Sequence, residues 1–239
     1  MTDPVAIIGA GLVGRAWAIV FARAGIDVRL FDLSPDIAAS AKKLIGESLE
    51  DLAHYGLIDD RQAILARVSV ADTLAACLDG AGYAQESVFE RVDAKREIYQ
   101  AIDAVIGKNT IVGSSSSGIP ASAYTEGLGA GARMLVAHPV NPPHLARVVE
   151  LVPAPWTASE TVDAVWRLME RVDQVPVRVT REIEGFVLNR LQGVLLDEAF
   201  RLVRDGFVSA EDLDKTLTHG LGLRWSFIGP FETIDLNAP

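Results

Sequence analysis

Cysteine is almost absent from this chain of 239 residues, which contains only Cys77. A single cysteine excludes an intrachain disulfide and is typical of a reducing compartment, so we expect a cytoplasmic location. The apolar and small residues around Cys77 predict a buried thiol rather than a nucleophile. The first residues, Met-Thr-Asp-Pro, also lack the positive charge with which a signal peptide begins.

Basic residues and long apolar runs are scarce as well. The chain has 22 Lys and Arg against 32 Asp and Glu, and its formal net charge is −10. This charge repels phosphate backbones, and no basic cluster offsets it, so nucleic acid is not an expected partner. The apolar stretch Val5–Phe21 is interrupted by Arg15 and falls short of the roughly 18 residues that span a bilayer. We therefore expect no membrane partner, and no metal site is predicted.

Short apolar runs alternate with longer amphipathic stretches. Eight runs predict strands: Val5–Ile8, Ile26–Phe31, Val68–Val70, Gly82–Val88, Thr110–Gly113, Met134–Ala137, Val148–Val152 and Pro176–Val179. Four stretches predict helices between them: Leu12–Ala24, Pro35–Tyr55, Arg91–Ile106 and Thr157–Val172. This alternation predicts an α/β, Rossmann-type fold with a mostly parallel sheet that helices cover on both faces.

The pattern becomes helical after Glu182. Apolar residues recur at helical spacing over 185–205 and predict one long helix, and Ser209 is placed to begin another. We therefore predict a first domain over 1–183 and a short all-α lobe over 184–239. A helical lobe of this size buries little apolar area alone, so it must pack on the first domain or on another chain.

A glycine-rich turn follows the first predicted strand and opens the first helix. It reads Gly9-Ala10-Gly11-Leu12-Val13-Gly14, and Asp32 ends the second strand 18 residues beyond Gly14. Glycines permit the tight turn, the close approach of a pyrophosphate and the packing of the helix on the strand. The carboxylate of Asp32 suits ribose hydroxyls and repels a 2′-phosphate. This combination predicts a site for NAD rather than NADP.

A histidine and a glutamate lie on consecutive strands. His138 ends one strand, before a proline-rich loop, and Glu150 lies within the next apolar strand. A carboxylate in such a strand needs a partner, because an isolated buried charge is costly. An imidazole hydrogen-bonded to it would be oriented for general-base catalysis. The alternative is that His138 has only a structural role in packing.

Two further motifs allow both structural and catalytic interpretations. The serine run Ser114–Ser117 follows the strand Thr110–Gly113, where its hydroxyls can either cap the next turn or bind a ligand. In the segment Gly185–Arg190, Asn189 interrupts an apolar helix face. A buried amide needs a hydrogen-bond partner, which can be another helix or a reacting group.

These motifs occur together, in the same order, in the 3-hydroxyacyl-CoA dehydrogenase superfamily, which this chain resembles over essentially its whole length. The segments on which the resemblance rests are the glycine turn, the serine run, His-Pro-Val-Asn-Pro-Pro, Val-Glu-Leu-Val-Pro and Gly-Phe-Val-Leu-Asn-Arg. Within the superfamily, residues 220–233 resemble the lambda-crystallin, or L-gulonate 3-dehydrogenase, branch. The resemblance implies an NAD-dependent dehydrogenase with a C-terminal lobe longer than the one present here.

The resemblance also implies residue roles. His138 is expected to be the general base and Glu150 its orienting partner. Ser117 and Asn189 are expected to bind the substrate and its reacting oxygen. Glu90 and Lys95 resemble cofactor-side residues, for which a solvated pair at a helix start is the alternative. Gly9, Gly11, Leu12, Val13, Gly14 and Asp32 complete the expected cofactor site.

The substrate suggested by the resemblance is a free 3-hydroxy acid. Acyl-CoA-specific relatives typically carry phenylalanines in place of Pro139 and Val140, and no arginine where Arg224 stands. A guanidinium can bind a carboxylate through two hydrogen bonds, although Arg224 can equally pair with an acid of this chain. The alternatives are an L-3-hydroxyacyl-CoA dehydrogenase and an NAD-binding structural protein with little turnover. The resemblance further implies a homodimer through the helical lobe.

Overall fold

The computed structural model describes residues 3–238, in which eight strands form one mixed sheet of order β3-β2-β1-β4-β5-β6-β7-β8. The strands are β1 Val5–Ile8, β2 Val28–Phe31, β3 Val68–Val70, β4 Tyr83–Glu86, β5 Ile111–Ser114, β6 Met134–Pro139, β7 Val148–Pro153 and β8 Val175–Arg178. Neighbouring strands are parallel except β6 and β7, which pair antiparallel. The predicted α/β class with a mostly parallel sheet is confirmed.

Helices connect these strands. They are α1 Leu12–Arg23, α2 Pro35–His54, α3 Arg61–Ala66, α4 Leu74–Leu78, α5 Val92–Val105, α6 Ser122–Thr125 and α7 Ser159–Arg171. Ser34 precedes α2 and Pro35 occupies its first turn, as the sequence predicts. The short helices α3, α4 and α6 were not predicted, because each spans too few residues to show a clear helical period.

Two apolar layers cover the sheet, one on each face. Trp17 and Phe21 of α1 stack with ring centroids 5.5 Å apart and pack with Tyr83 of β4 on one face. Tyr99 of α5 and Tyr124 of α6 pack on the other, with centroids 4.7 Å apart. Each fully buried apolar side chain of this size contributes about 1.5–3 kcal/mol. These buried layers therefore hold the carboxyl ends of β1, β4, β5 and β6 in fixed positions.

Cys77 lies on α4 in one of these layers and is fully buried. Burial raises the pKa of its thiol to about 12, so the nucleophilic thiolate does not form at neutral pH. The predicted buried cysteine is confirmed.

The chain divides into two compact units, the first ending at Val187 and the second beginning at Leu188. This division lies four residues beyond the predicted boundary. The helix predicted over 185–205 begins at Leu188 instead, because Gly185 and Phe186 have φ angles of 72° and 51°. The backbone N–H of Val187 also donates to Oε1 of Glu150 at 2.8 Å, which ties this segment to the first unit.

The second unit is helical. It contains α8 Leu188–Arg204, α9 Ala210–Thr216, a π-helical turn Leu217–Leu221, α10 Gly222–Trp225 and α11 Pro230–Asn237. Ser209 begins α9, and its hydroxyl accepts from the N–H of Asp212 at 3.1 Å, as predicted. None of residues 188–238 is buried, and Phe207, Phe227 and Phe231 are 77–84% exposed. Within residues 3–238, no helix combines the length and apolarity needed to cross a bilayer.

Candidate active site

The glycine-rich turn links β1 to α1 with no room for larger residues at two positions. Gly9 has a φ of +96°, and a Cβ there would lie 2.6 Å from the carbonyl oxygen of Ser87. A Cβ at Gly14 would lie 1.8 Å from the carbonyl oxygen of Gly9. At Gly11 nothing lies within 4 Å of such an atom, so this position faces open space at the start of α1. An anion can therefore approach the backbone N–H groups there.

Asp32 is held at the end of β2 by two backbone hydrogen bonds. Its Oδ2 accepts from the N–H of Ala10 at 2.8 Å, and its Oδ1 accepts from the N–H of Ser34 at 2.9 Å. Each carboxylate oxygen keeps a lone pair for a further donor. A cavity of about 240 Å³ contains Asp32 together with Gly9, Gly11, Leu12 and Val13 of the predicted cofactor site. The turn, the helix N-terminus and the positioned carboxylate fit the adenosine diphosphate half of a dinucleotide.

His138 and Glu150 face each other across the antiparallel pair β6 and β7. They are register partners, and Nδ1 of His138 lies 2.8 Å from Oε2 of Glu150. Both side chains are buried, and the imidazole packs on the Phe186 ring with centroids 5.5 Å apart. Because Nδ1 is engaged by the carboxylate, Nε2 is the ring nitrogen available to another molecule.

A second cavity, of about 250 Å³, brings several predicted site residues together. His138 and Ser117 line it with Glu90, Pro139 and Asn141. So do Ser115, from the predicted serine run, and Ser87, which the sequence analysis did not single out. Val13, Ser87 and Val88 line both this cavity and the one that contains Asp32. The two cavities therefore adjoin at the carboxyl ends of the central strands, where open α/β sheets place their ligands.

Glu90 organises the turn that follows the serine run. Its Oε1 accepts from the Ser116 hydroxyl at 2.7 Å, the Ser117 N–H at 2.8 Å and the Gly118 N–H at 3.0 Å. Burial raises the pKa of Glu90, but the Ser116 hydroxyl, the Lys95 charge and these N–H groups outweigh burial and lower the pKa overall. Glu90 therefore lines the second cavity as an anion that fixes the position of Ser117.

Lys95 lies beneath the cavities rather than in them. It is fully buried, and its Nζ lies 3.0 and 3.1 Å from the two carboxylate oxygens of Glu86 and 3.6 Å from Oε2 of Glu90. The Ser114 hydroxyl donates to the same Glu86 carboxylate at 2.6 Å. The alternative interpretation of Lys95, as one of a solvated pair at a helix start, is therefore wrong, because Lys95 is buried. The sequence analysis missed Glu86, at the end of β4, because no motif marks it. A charged residue within a buried strand is the signal that could have identified it.

Asn189 and Arg224 belong to the second unit. Asn189 lies in the first turn of α8 and is half-buried, and Arg224 is exposed on α10. Their substrate-binding roles stay predictions.

Comparison with known proteins places the whole chain in one family. Residues 4–183 match the 3-hydroxyacyl-CoA dehydrogenase NAD-binding domain, and residues 185–239 match the C-terminal domain of the same family. Lambda-crystallin of Oryctolagus cuniculus is 43% identical over 237 residues, covering 98% of this chain and 74% of the relative. L-carnitine dehydrogenase of Streptomyces griseus is 36% identical over 233 residues, covering 97% and 69%.

The fold of a solved dehydrogenase agrees with these matches. The structure of 5-formyl-3-hydroxy-2-methylpyridine 4-carboxylic acid 5-dehydrogenase, described as an NAD⁺-dependent dismutase, superposes with a TM-score of 0.87 at 32% identity. The superposition covers 100% of this chain and 77% of that one. The chain belongs to the 3-hydroxyacyl-CoA dehydrogenase family, and it is an NAD-dependent dehydrogenase that acts on a CH–OH group.

Proposed function

We propose that this enzyme oxidises the 3-hydroxyl of a free hydroxy acid of the L-gulonate type to the 3-keto acid. The observation that carries the proposal is the buried His138–Glu150 pair, whose imidazole lines a cavity that adjoins the one lined by Asp32. This arrangement supports proton removal next to the place where the cofactor reacts.

His138 acts as the general base in this proposal. With Glu150 accepting a hydrogen bond from Nδ1–H, the lone pair of the imidazole lies on Nε2, from which it can take the hydroxyl proton. The carboxylate then stabilises the imidazolium that forms. Bound NAD supplies the acceptor for the hydride that leaves the carbinol carbon.

The polar groups around His138 position the substrate. Ser117 lines the same cavity on a turn fixed by Glu90, and its hydroxyl can donate to the substrate oxygen as that oxygen becomes a carbonyl. We propose the same role for the amide of Asn189. Asp32 accepts from the ribose hydroxyls at the adenosine end, which favours NAD over NADP because a 2′-phosphate would be repelled.

The choice of a free acid over a thioester rests on Arg224 and on the relatives. A guanidinium binds a carboxylate through paired charge-assisted hydrogen bonds, which a thioester cannot offer. Arg224 is exposed and so available to a ligand. The similarity to L-carnitine dehydrogenase supports the same choice, because L-carnitine is itself a free 3-hydroxy acid. The second candidate is an L-3-hydroxyacyl-CoA, the substrate class in the name of the family.

Comparing two substrates tests both candidates. NADH formation is measured with L-gulonate and with L-3-hydroxybutyryl-CoA, for the wild type, His138→Asn and Arg224→Ala. The proposal expects faster oxidation of gulonate, a loss of about 10²–10⁴-fold in kcat for His138→Asn, and a raised KM for gulonate in Arg224→Ala. His54→Asn, at an exposed position on α2, is the control and should retain the wild-type rate. Preference for the thioester would overturn the free-acid proposal.

We further propose that the enzyme is a homodimer through its helical unit. Exposed apolar side chains on α8 and α11, among them Phe200 and Phe231, support this assembly, because large apolar patches mark interfaces. Sedimentation of the wild type should give a dimer, and Phe200→Asp with Phe231→Asp should shift it to a monomer. A wild-type monomer would contradict the proposal.

A further inference from the structure

Hydrogen-bonded side chains connect the core of the first unit to the edge of its cavities. Tyr83, Gln85 and Ser87 alternate along β4 and its extension, so all three lie on one face of the sheet. The Tyr83 hydroxyl donates to Oε1 of Gln85, and Nε2 of Gln85 donates to the Ser115 hydroxyl at 2.8 Å. The Ser115 hydroxyl lies 2.9 Å from that of Ser87.

The amide of Gln85 has only one orientation that satisfies its neighbours. Its Nε2 also lies 3.2 Å from the carbonyl oxygen of Ala137, which can only accept. The two amide hydrogens therefore go to Ala137 and Ser115, and the amide oxygen accepts from Tyr83.

The direction of the contact between the two serines follows from this. The indole N–H of Trp17, which can only donate, lies 3.1 Å from the Ser115 hydroxyl oxygen. That oxygen thus receives hydrogens from both Trp17 and Gln85, which occupy its two lone pairs. The Ser115 hydrogen must then go to Ser87, so the Ser87 oxygen accepts and its own hydrogen is left to donate.

Gly113 shows that the packing accommodates this chain of bonds. A Cβ at Gly113 on β5 would lie 2.0 Å from the Tyr83 hydroxyl and 2.9 Å from Oε1 of Gln85. Only glycine leaves space for the two polar groups, and Tyr83, Gln85 and Trp17 are fully buried. Successive hydrogen bonds of one direction polarise each other, which strengthens the last donor.

Ser87 lines both cavities, at the junction between the glycine turn and His138. We propose that the Ser87 hydroxyl is a cofactor-binding donor that hydrogen-bonds to an oxygen in the nicotinamide half of NAD, either on the pyrophosphate or on the ribose next to it. Both are acceptors, and both belong to the part of a dinucleotide that connects the Asp32 end to the reactive ring. The Tyr83–Gln85–Ser115 series positions that donor.

Binding of a graded set of ligands to Ser87→Ala tests the proposal without any turnover. The dissociation constants of AMP, ADP, ADP-ribose and NADH are measured by calorimetry for the wild type and the variant. We expect NADH and ADP-ribose to bind about fivefold more weakly to Ser87→Ala, the effect of one neutral hydrogen bond, and AMP to bind equally well. Weaker binding of ADP as well assigns the acceptor to the pyrophosphate, and unchanged ADP binding assigns it to the ribose.

The control is Ser69→Ala, which removes a hydroxyl from β3 that donates to the carbonyl of Val28 at 3.2 Å. It should change none of the four dissociation constants. Unchanged NADH affinity in Ser87→Ala, an equal loss for AMP, or a loss confined to NADH would each overturn the proposal. Because no substrate is present, these outcomes are independent of the proposed oxidation of a hydroxy acid.

Discussion

Glu150 holds two donors with its two oxygens: Oε2 lies 2.8 Å from Nδ1 of His138, and Oε1 accepts from the N–H of Val187 at 2.8 Å. The carboxylate thus fixes both the imidazole and the segment that precedes α8. An amide of the same shape reproduces neither the charge of this carboxylate nor its second acceptor oxygen.

Glu150→Gln should reverse the tautomer of His138. Because the Val187 N–H can only donate, it will take the amide oxygen and leave the amide NH₂ facing Nδ1. Nδ1 must then accept, so Nε2 carries the hydrogen and has no lone pair with which to take the hydroxyl proton. We expect kcat to fall about 10²–10⁴-fold while the dissociation constant of NADH stays within about twofold.

Steady-state rates and NADH fluorescence titrations measure the two quantities. Glu160→Gln, at an exposed position on α7, is the matched control and should behave as the wild type. A Glu150→Gln enzyme with nearly full kcat would show that Glu150 does not set the protonation of the base.

Two glycines of one turn should respond differently to the same substitution. Gly14→Ala places a methyl group 1.8 Å from the carbonyl of Gly9, which should lower the free energy of unfolding by about 3 kcal/mol. Gly11→Ala meets no protein atom within 4 Å and should cost about 1 kcal/mol or less. Gly11→Ala should still weaken NADH binding at least about tenfold, because the methyl group fills the space of the pyrophosphate.

Urea unfolding and NADH titration of the two variants check this pair. Wild-type NADH affinity in Gly11→Ala would show that the pyrophosphate does not approach this position. Equal losses of stability in both variants would contradict the packing argument at Gly14.

The sheet and the glycine turn could be predicted because their signals are local. The apolar run Val5–Ile8 is followed at once by glycines and a helix, so about twenty consecutive residues suffice to predict the strand, the turn and the helix. The late start of α8 at Leu188 could not be predicted, because Gly185 and Phe186 have positive φ and contact residues that are distant in sequence. The N–H of Gly185 donates to the carbonyl of Gly118 at 3.5 Å, and the Phe186 ring packs on His138. Helical periodicity continues through a segment that tertiary contacts keep out of the helix.

The site was predictable where residues belong to a motif and not elsewhere. His138 and Glu150 could be paired from their strands, since a carboxylate in an apolar strand demands a partner. Gln85 lies in the buried strand β4 and Ser87 just beyond its end, and no motif marks either residue. Their role depends on Ser115 and Trp17, which are distant in sequence. Only the folded sheet brings these four together.

The charge of Glu90 should make stability depend on pH in a defined direction. Its pKa is lower in the folded chain than the ordinary glutamate value of 4.5, so folding favours the carboxylate. The stabilisation is complete above the ordinary pKa and is lost as the pH falls through the lowered pKa. The wild type should therefore exceed Glu90→Gln in stability at neutral pH, and the difference should shrink below about pH 4.5.

Urea unfolding of both proteins across this pH range measures the difference. Glu47→Gln, which replaces an exposed glutamate of α2, is the control and should show a much smaller change. A difference between wild type and Glu90→Gln that is constant with pH would mean that the carboxylate charge does not contribute.

The buried Lys95–Glu86 pair should be sensitive to the loss of one partner. Both side chains are at most 1% exposed, so Lys95→Met leaves the Glu86 carboxylate with the Ser114 hydroxyl and the Val88 N–H as donors but without a counter-charge. We expect the free energy of unfolding to fall by about 3–5 kcal/mol. Lys43→Met, at an ion pair whose lysine is 81% exposed, should change it by less than about 0.5 kcal/mol.

The double variant Lys95→Met with Glu86→Gln separates charge from packing. If the stranded charge causes the loss, neutralising Glu86 should restore part of the stability that Lys95→Met removes, because the amide is cheaper to bury than the carboxylate. If lost packing causes it, the double variant should be less stable than either single variant. Urea unfolding of the four proteins gives the coupling free energy directly, and a coupling near zero would show that Lys95 and Glu86 act independently.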